Sequence, residues 1–194
     1  HVNSNLRLYT IHNANGRVDS SARCLERVLL VKPAADGYRR KLADLYRREG
    51  QAQQAITHYA RLLERVGEDE EIIEMLALLN QDLGNVDEAL KWRSKLVGND
   101  DEAVDVRRLE SVVELQLETG DVNAALKSLF KLAMVDTANA YAYYNRVAQI
   151  AGDRNDQENL LRAREGMVRA DPQDLQTIAE LVEWNVRQNR FKAA

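Results

Sequence analysis

The chain has 194 residues, 45% of them hydrophobic, with 27 basic against 31 acidic side chains and a net charge of −4. That length bounds the molecule to one or two domains, and the slight acidic excess speaks against a dedicated nucleic-acid binder, which carries a basic stripe. A lone cysteine, Cys24, excludes an intrachain disulfide framework and any multi-cysteine metal site, and no run of about 18 apolar residues exists to cross a membrane. Nine Gly and two Pro fit a chain of helices with short connections. It opens HVNSNL without an initiator Met and stops in a helical pattern at RQNRFKAA, so it reads as an excerpt of a longer protein. The missing leader then says nothing of compartment.

In chain order the pattern is a series of helical hairpins, each with a helix A, a glycine anchor and a helix B. In residues 2–35, Leu8, Tyr9 and His12 precede Gly16, and Ser21, Leu25, Val28 and Pro33 follow it. Residues 36–69 repeat those offsets with Leu42, Ala43 and Tyr46 before Gly50 and Ala55, Tyr59 and Leu62 after it. Residues 70–105 hold Leu76, Ala77, Asn80, Gly84, Ala89, Arg93 and Leu96, with Asn85 and Glu88 placed as a capping box. The run GNDDEAVDV, 98–106, reads as a solvated connection where the anchor spacing stretches from 34 to 36. In residues 106–139 the set is Val112, Val113, Gln116, Gly120, Ala125, Leu129 and Leu132, with Asp121 as the cap of helix B.

Two further units are degenerate. Residues 140–174 carry Arg154 or Asn155 where the glycine belongs, and residues 175–194 place Asn189 there and end as a second helix begins. Glycine, or Asn in its stead, supplies the positive φ that ends helix A. Small residues such as Ala43, Ala55, Ala77, Ala89 and Ala125 let paired helices approach closely. A single hairpin cannot bury both its faces. Stacking does so, at about 1.5–3 kcal/mol for each fully buried Leu or aromatic.

This repeat resembles the tetratricopeptide repeat family over essentially the whole chain. Departures are visible: Asn5, Arg39, Ile73 and Leu109 stand where the family has an early tryptophan, and the late proline survives only at Pro33 and Pro172. Arg93 occupies a bulky apolar position, with Trp92 beside it to fill the gap. The resemblance implies an all-α, right-handed α-solenoid of tandem helix-turn-helix units, 1–194 as one array, whose helices A line a concave face.

Lining positions fall thirteen, ten, six, three and two residues before each anchor. They give Asn3, Leu6, Thr10, Asn13 and Ala14 in the first unit, which is bland, and Gly37, Arg40, Asp44, Arg47 and Arg48 in the second, which is basic. The third offers Glu71, Glu74, Leu78, Gln81 and Asp82, and the fourth Arg107, Glu110, Glu114, Leu117 and Glu118; both are acidic. With Arg154 as the fifth anchor the set is Tyr141, Tyr144, Ala148, Ala151 and Gly152. The functional reading is a groove with a basic entrance, an acidic middle and a tyrosine platform, suited to a basic peptide or a cationic sugar polymer. The ordinary reading of such residues is a solvated helix face, with tyrosines covering apolar neighbours.

Catalysis finds no support: there is no Gly-rich phosphate loop and no Gly-x-Ser-x-Gly elbow. No cofactor is expected, and His1, His12 and His58 match no metal-ligand spacing. His12, Cys24, Trp92 and Trp184 read as packing residues first.

The leading expectation is therefore a non-catalytic scaffold that binds a protein partner. EALKWRSKLVG and LVEWNVRQNRFKAA are similar in texture to the repeat region of the bacterial Pel exopolysaccharide outer-membrane export proteins. That resemblance implies a periplasmic scaffold that recruits a polysaccharide-modifying enzyme and guides a cationic polysaccharide. A cytosolic peptide-binding adaptor of the chaperone-docking type is the alternative, but its Lys and Asn clamp is incomplete, with Leu6, Thr10, Asn13, Arg40 and Asp44 at the lining positions. RNA binding by related 35-residue repeats fits neither the 34-residue spacing nor the charge. In a chain cut at this point, Leu181, Val182 and Phe191 are expected to be exposed and to favour self-association.

Overall fold

The computed structural model describes residues 1–97 and 104–187, and among them every regular element is an α-helix. The helices are α1 (Val2–Ala14), α2 (Val18–Val31), α3 (Asp36–Arg48), α4 (Ala52–Val66), α5 (Glu70–Asp82), α6 (Val86–Leu96), α7 (Val106–Glu118), α8 (Val122–Val135), α9 (Ala140–Asp153), α10 (Gln157–Ala170) and α11 (Leu175–Arg187). They sort into two compact units, His1–Leu96 and Val97–Ala194. In the first, α1/α2, α3/α4 and α5/α6 pair as hairpins, and α2 packs on α3 and α4 on α5. In the second, α7/α8 and α9/α10 are the hairpins, α8 packs on α9 and α10 on α11.

The turns show why each hairpin closes. All four anchor glycines have positive φ, for instance +69° at Gly50 and +79° at Gly120. Gly50 N–H donates to the Arg47 carbonyl at 3.1 Å and Gln51 N–H to Tyr46 at 2.9 Å, which terminates the spent helix with its last carbonyls satisfied. In the fifth hairpin the left-handed residue is Asn155, at φ +55°, and not Arg154. Its N–H donates to Gly152 and that of Asp156 to Ala151, repeating the pattern at Gly50. Two sequence signals mark that register: Asp156 follows Asn155 as Asp121 follows Gly120, and Pro172 lies seventeen residues on, as Pro33 does from Gly16. The same position seventeen after Gly50 is Gly67, which closes α4 at φ +81°.

Aspartates start many of the helices. Asp121 accepts from the Ala124 N–H at 3.0 Å, as its place in the sequence predicts, and Asp69, Asp105, Asp156 and Asp174 cap α5, α7, α10 and α11 in the same way. Asn85 differs from the expected capping box: its side-chain amide donates to Asn80 Oδ1 at 3.3 Å. In the 98–106 run, Asp105 is thus a cap, while 98–103 lie outside the described residues, as do Asn189 and Phe191.

The core of the first unit gathers Leu25, Leu42, Ala43, Ala55, Tyr59, Leu62, Ile72 and Leu76, all essentially inaccessible. That of the second gathers Leu109, Val113, Leu126, Leu129, Leu132, Val147 and Ala163. Eleven residues before each anchor, where a bulky ring is expected, Arg39, Ile73 and Leu109 are buried. The Arg39 guanidinium donates to the Pro33 carbonyl at 2.7 Å. Cys24 is buried, His58 stacks on Tyr46 with ring centres 5.6 Å apart, and Trp92 packs against the first core.

Counting from Asn155 puts Tyr144 eleven before its anchor. Its ring packs at 6.1 Å from Phe130 and lies on the backbone of Gly166, where an added Cβ would fall 2.6 Å from ring carbons. Arg27, Arg61, Lys95 and Lys131 stand at the position of Gly166 in the other hairpins, so the glycine makes room for the tyrosine. Gly50→Ala is expected to cost about 1–2 kcal/mol through its left-handed backbone. Gly166→Ala is expected to cost about 1–3 kcal/mol through overpacking, while Asn155→Gly stays within about 0.5 kcal/mol of the parent. Urea midpoints at constant slope check all three.

Candidate functional site

The helix A faces carry the residues singled out for recognition, and most of those charges are already engaged within the protein. On α3, the Arg40 guanidinium donates to Asp69 at 2.5 Å and Glu71 at 2.9 Å on the neighbouring segment, tying one helix A to the next. Asp44 accepts from Tyr59 Oη, also at 2.5 Å, and burial followed by that carboxylate pushes the phenol up to about 12. Glu74 takes Arg93 from α6 at 2.6 Å. So Arg93, at the position where Leu25, Tyr59 and Leu129 are buried, has its terminal guanidinium nitrogen held by an ion pair, while its Nε has no hydrogen-bond partner among the described residues.

The second unit repeats the device. Arg146 on α9 reaches Glu114 on α7 through two hydrogen bonds, 2.6 and 2.9 Å. Tyr143 Oη donates to Glu110 at 2.7 Å and to Asp136 at 3.1 Å. Burial first, then these carboxylates, push the Tyr143 phenol up. Of the acidic middle expected from Glu71, Glu74, Asp82, Glu110, Glu114 and Glu118, arginines therefore pair with Glu71, Glu74 and Glu114, and a tyrosine hydroxyl binds Glu110. Arg146 and Tyr143 escape an analysis based on lining positions within one unit. Their signal is a separation: the cross-helix partners lie 31 to 33 residues apart, two or three residues short of the repeat they span. Arg47, Arg48, Glu110, Glu114 and Glu118 all stay exposed.

The tyrosine platform also changes with the register. The lining set counted from Asn155 is Ala142, Asn145, Gln149, Gly152 and Asp153. Tyr144 leaves it for the packing site over Gly166, because its position is the bulky one inside the hairpin. Tyr141 remains at the edge of the face, its hydroxyl donating to Asp174 at 2.7 Å. Hydrogen bonds from Thr177 and then Tyr141 hold the Asp174 carboxyl below its ordinary value.

Two clefts open on these faces, each inside one unit. The first, about 440 Å³, lies between the end of α3, the start of α4 and the second half of α5. Met75, Leu78, Leu79 and Leu83 make it largely apolar, and Arg47 and Asp82 edge it. The second, about 460 Å³, lies among α9, α10 and α11 and is lined by Tyr141, Asn145, Gln149, Gly152 and Asp153, with Leu160, Arg164, Met167, Asp174 and Glu180 opposite. Arg164 pairs with Glu180 at 2.8 Å across α10 and α11. Among the described residues no cluster of three or more His, Cys, Asp or Glu is arranged to hold a metal, and no helix is long and apolar enough to cross a membrane.

Residues 36–79 match the family model for the tetratricopeptide repeat. No curated protein matches the chain. Among solved structures, the crystal structure of MamA protein is similar at TM-score 0.54 and 11% identity, over 90% of this chain and 94% of that one. YrrB, described as a tetratricopeptide repeat protein with an unusual peptide-binding site, is similar at TM-score 0.52 and 12% identity, over 89% and 87%. A tetratricopeptide repeat protein from Parabacteroides merdae is similar at TM-score 0.53 and 18% identity, over 97% and 73%. The fold is thus an all-α solenoid of tandem helix-turn-helix repeats of this type.

The hydrogen bonds from Arg146 lower the Glu114 pKa, so the ion pair stabilises the fold above the ordinary carboxylate pKa and is lost as pH falls through the lowered value. Arg146→Ala is expected to return Glu114 upward toward its ordinary value, read by NMR titration of the side-chain carboxyl. Arg146 is half-buried and Glu114 exposed, so solvent screens the pair and the accompanying loss of stability at neutral pH stays below about 1 kcal/mol.

Proposed function

We propose that this chain is a non-catalytic scaffold that binds a protein partner along its helix A faces. The observation that carries the reading is the pair of clefts, one in each unit, formed where successive hairpins stack and lined by side chains from two successive helices A, α3 with α5 and α9 with α11. Within each unit the lining side chains sit on packed helices, which lowers the entropy lost on binding. The apolar cleft with exposed Leu78 and Leu83, edged by Arg47 and Asp82, suits one anchor side chain with polar groups beside it. The peptide-binding site named for YrrB supports the same reading for a chain of this fold.

The finer reading concerns setting. We place the scaffold in the periplasm, in bacterial exopolysaccharide export, with a polysaccharide-modifying enzyme as partner; the support is the sequence texture at residues 88–98 and 181–194. The internal ion pairs shift weight within that reading from a cationic polymer toward the enzyme, since Glu71, Glu74 and Glu114 already hold arginines.

A displayed random heptapeptide library, enriched on the immobilised chain and measured by fluorescence anisotropy, tests the scaffold reading. At least one enriched peptide is expected to lose tenfold or more in affinity with Leu78→Arg and to keep it with Arg23→Glu, an exposed change on α2. No enriched peptide, or sensitivity only to the α2 change, overturns it.

A further inference from the structure

Asn145, Gln149 and Gly152 follow one another on α9 at the spacing that puts i, i+4 and i+7 on one helix face, and all three line the cleft of the second unit. Two amides one turn apart are separated by about 6 Å along the helix axis. That matches the repeat of about 6.6–6.8 Å between same-side backbone groups of an extended chain. Each amide offers both a donor and an acceptor, the complement of a peptide N–H and C=O.

Gly152 sets the depth. The residues three before the other anchors are Asn13, Arg47, Gln81 and Leu117, so each of those faces carries a side chain where this one carries none. A Cβ added at Gly152 would meet nothing within 4 Å, so the niche is open to a ligand side chain. Leu160 and Met167 provide apolar lining for an aliphatic stem, and the charged lining residues are Asp153, Asp174 and Glu180 against the single cation Arg164. Long cationic side chains lie along apolar surface and keep the charge at a polar rim.

We propose that this cleft holds an extended peptide with a lysine or arginine inserted at Gly152, its backbone held by Asn145 and Gln149. The inference rests on the scaffold reading and gives that reading a ligand class in the second unit. A peptide is favoured over a sugar because the amide pair matches a backbone repeat, whereas the lining holds a single aromatic ring, Tyr141, on which a sugar could stack.

The test uses four fluorescent probes against the whole chain: Ac-GKGKGK-NH2, Ac-GRGRGR-NH2, Ac-GEGEGE-NH2 and a glucosamine hexasaccharide. One or both of the cationic peptides are expected to bind at least tenfold more tightly than the acidic one. Gly152→Phe, which fills the niche, is expected to remove that binding, with the helical circular dichroism unchanged. Gly152→Ala leaves most of the space and is expected to keep binding within threefold, whereas Asp153→Asn weakens it several-fold. Three results overturn the proposal: acidic and cationic peptides binding alike, cationic peptides binding undiminished to a folded Gly152→Phe variant, or the hexasaccharide binding where neither cationic peptide does. If library-selected peptides still answer to Leu78→Arg while these probes fail, the scaffold reading stands and only the ligand assigned to this cleft falls.

Discussion

Each hairpin depends on one backbone constraint, a single residue with positive φ between two helices that must turn back on themselves. Only there does the chain end one helix with its carbonyls satisfied and begin the next within two residues. Fixing that residue fixes the phase of every side chain on both helices, because a helical position is defined by its count from the turn. The displacement at Asn155 shows the force of this. One residue of shift moves Tyr144 from an open face to the hairpin interior and brings Asn145 and Gln149 to the cleft.

The array was legible in the sequence where the constraint has one chemical solution. Glycine tolerates the left-handed region better than any other residue, so Gly16, Gly50, Gly84 and Gly120 announce themselves. Buried positions followed, since Leu42, Leu76, Val112 and Leu129 need only be apolar and in phase. The fifth turn was ambiguous because Asn and Arg stand side by side and neither is glycine. Its caps and its proline carried the answer, but only once read together.

The recognition face was less legible, for a physical reason. Residue type reports charge, and the helical count reports direction, but neither reports what a neighbouring helix brings to the same place. Arg40 and Glu71 read as opposite regions of a groove when each repeat is taken alone; stacking makes them a pair. The same holds for Arg93 with Glu74 and Arg146 with Glu114. Charge in a repeat protein has to be summed across adjacent repeats before it is assigned to a ligand.

Those pairs give the two sides of each stack different chemistry. Successive first helices are linked by ionic ties at the solvent boundary, while second helices hold the following first helices mainly through apolar contact, with Arg164–Glu180 between α10 and α11 as an ionic addition. Dissolved ions shorten the reach of the former to about 8 Å at physiological ionic strength, and strongly hydrated salts tighten the latter. Each unit is therefore a layered stack whose ionic and apolar contacts answer added salt in opposite senses.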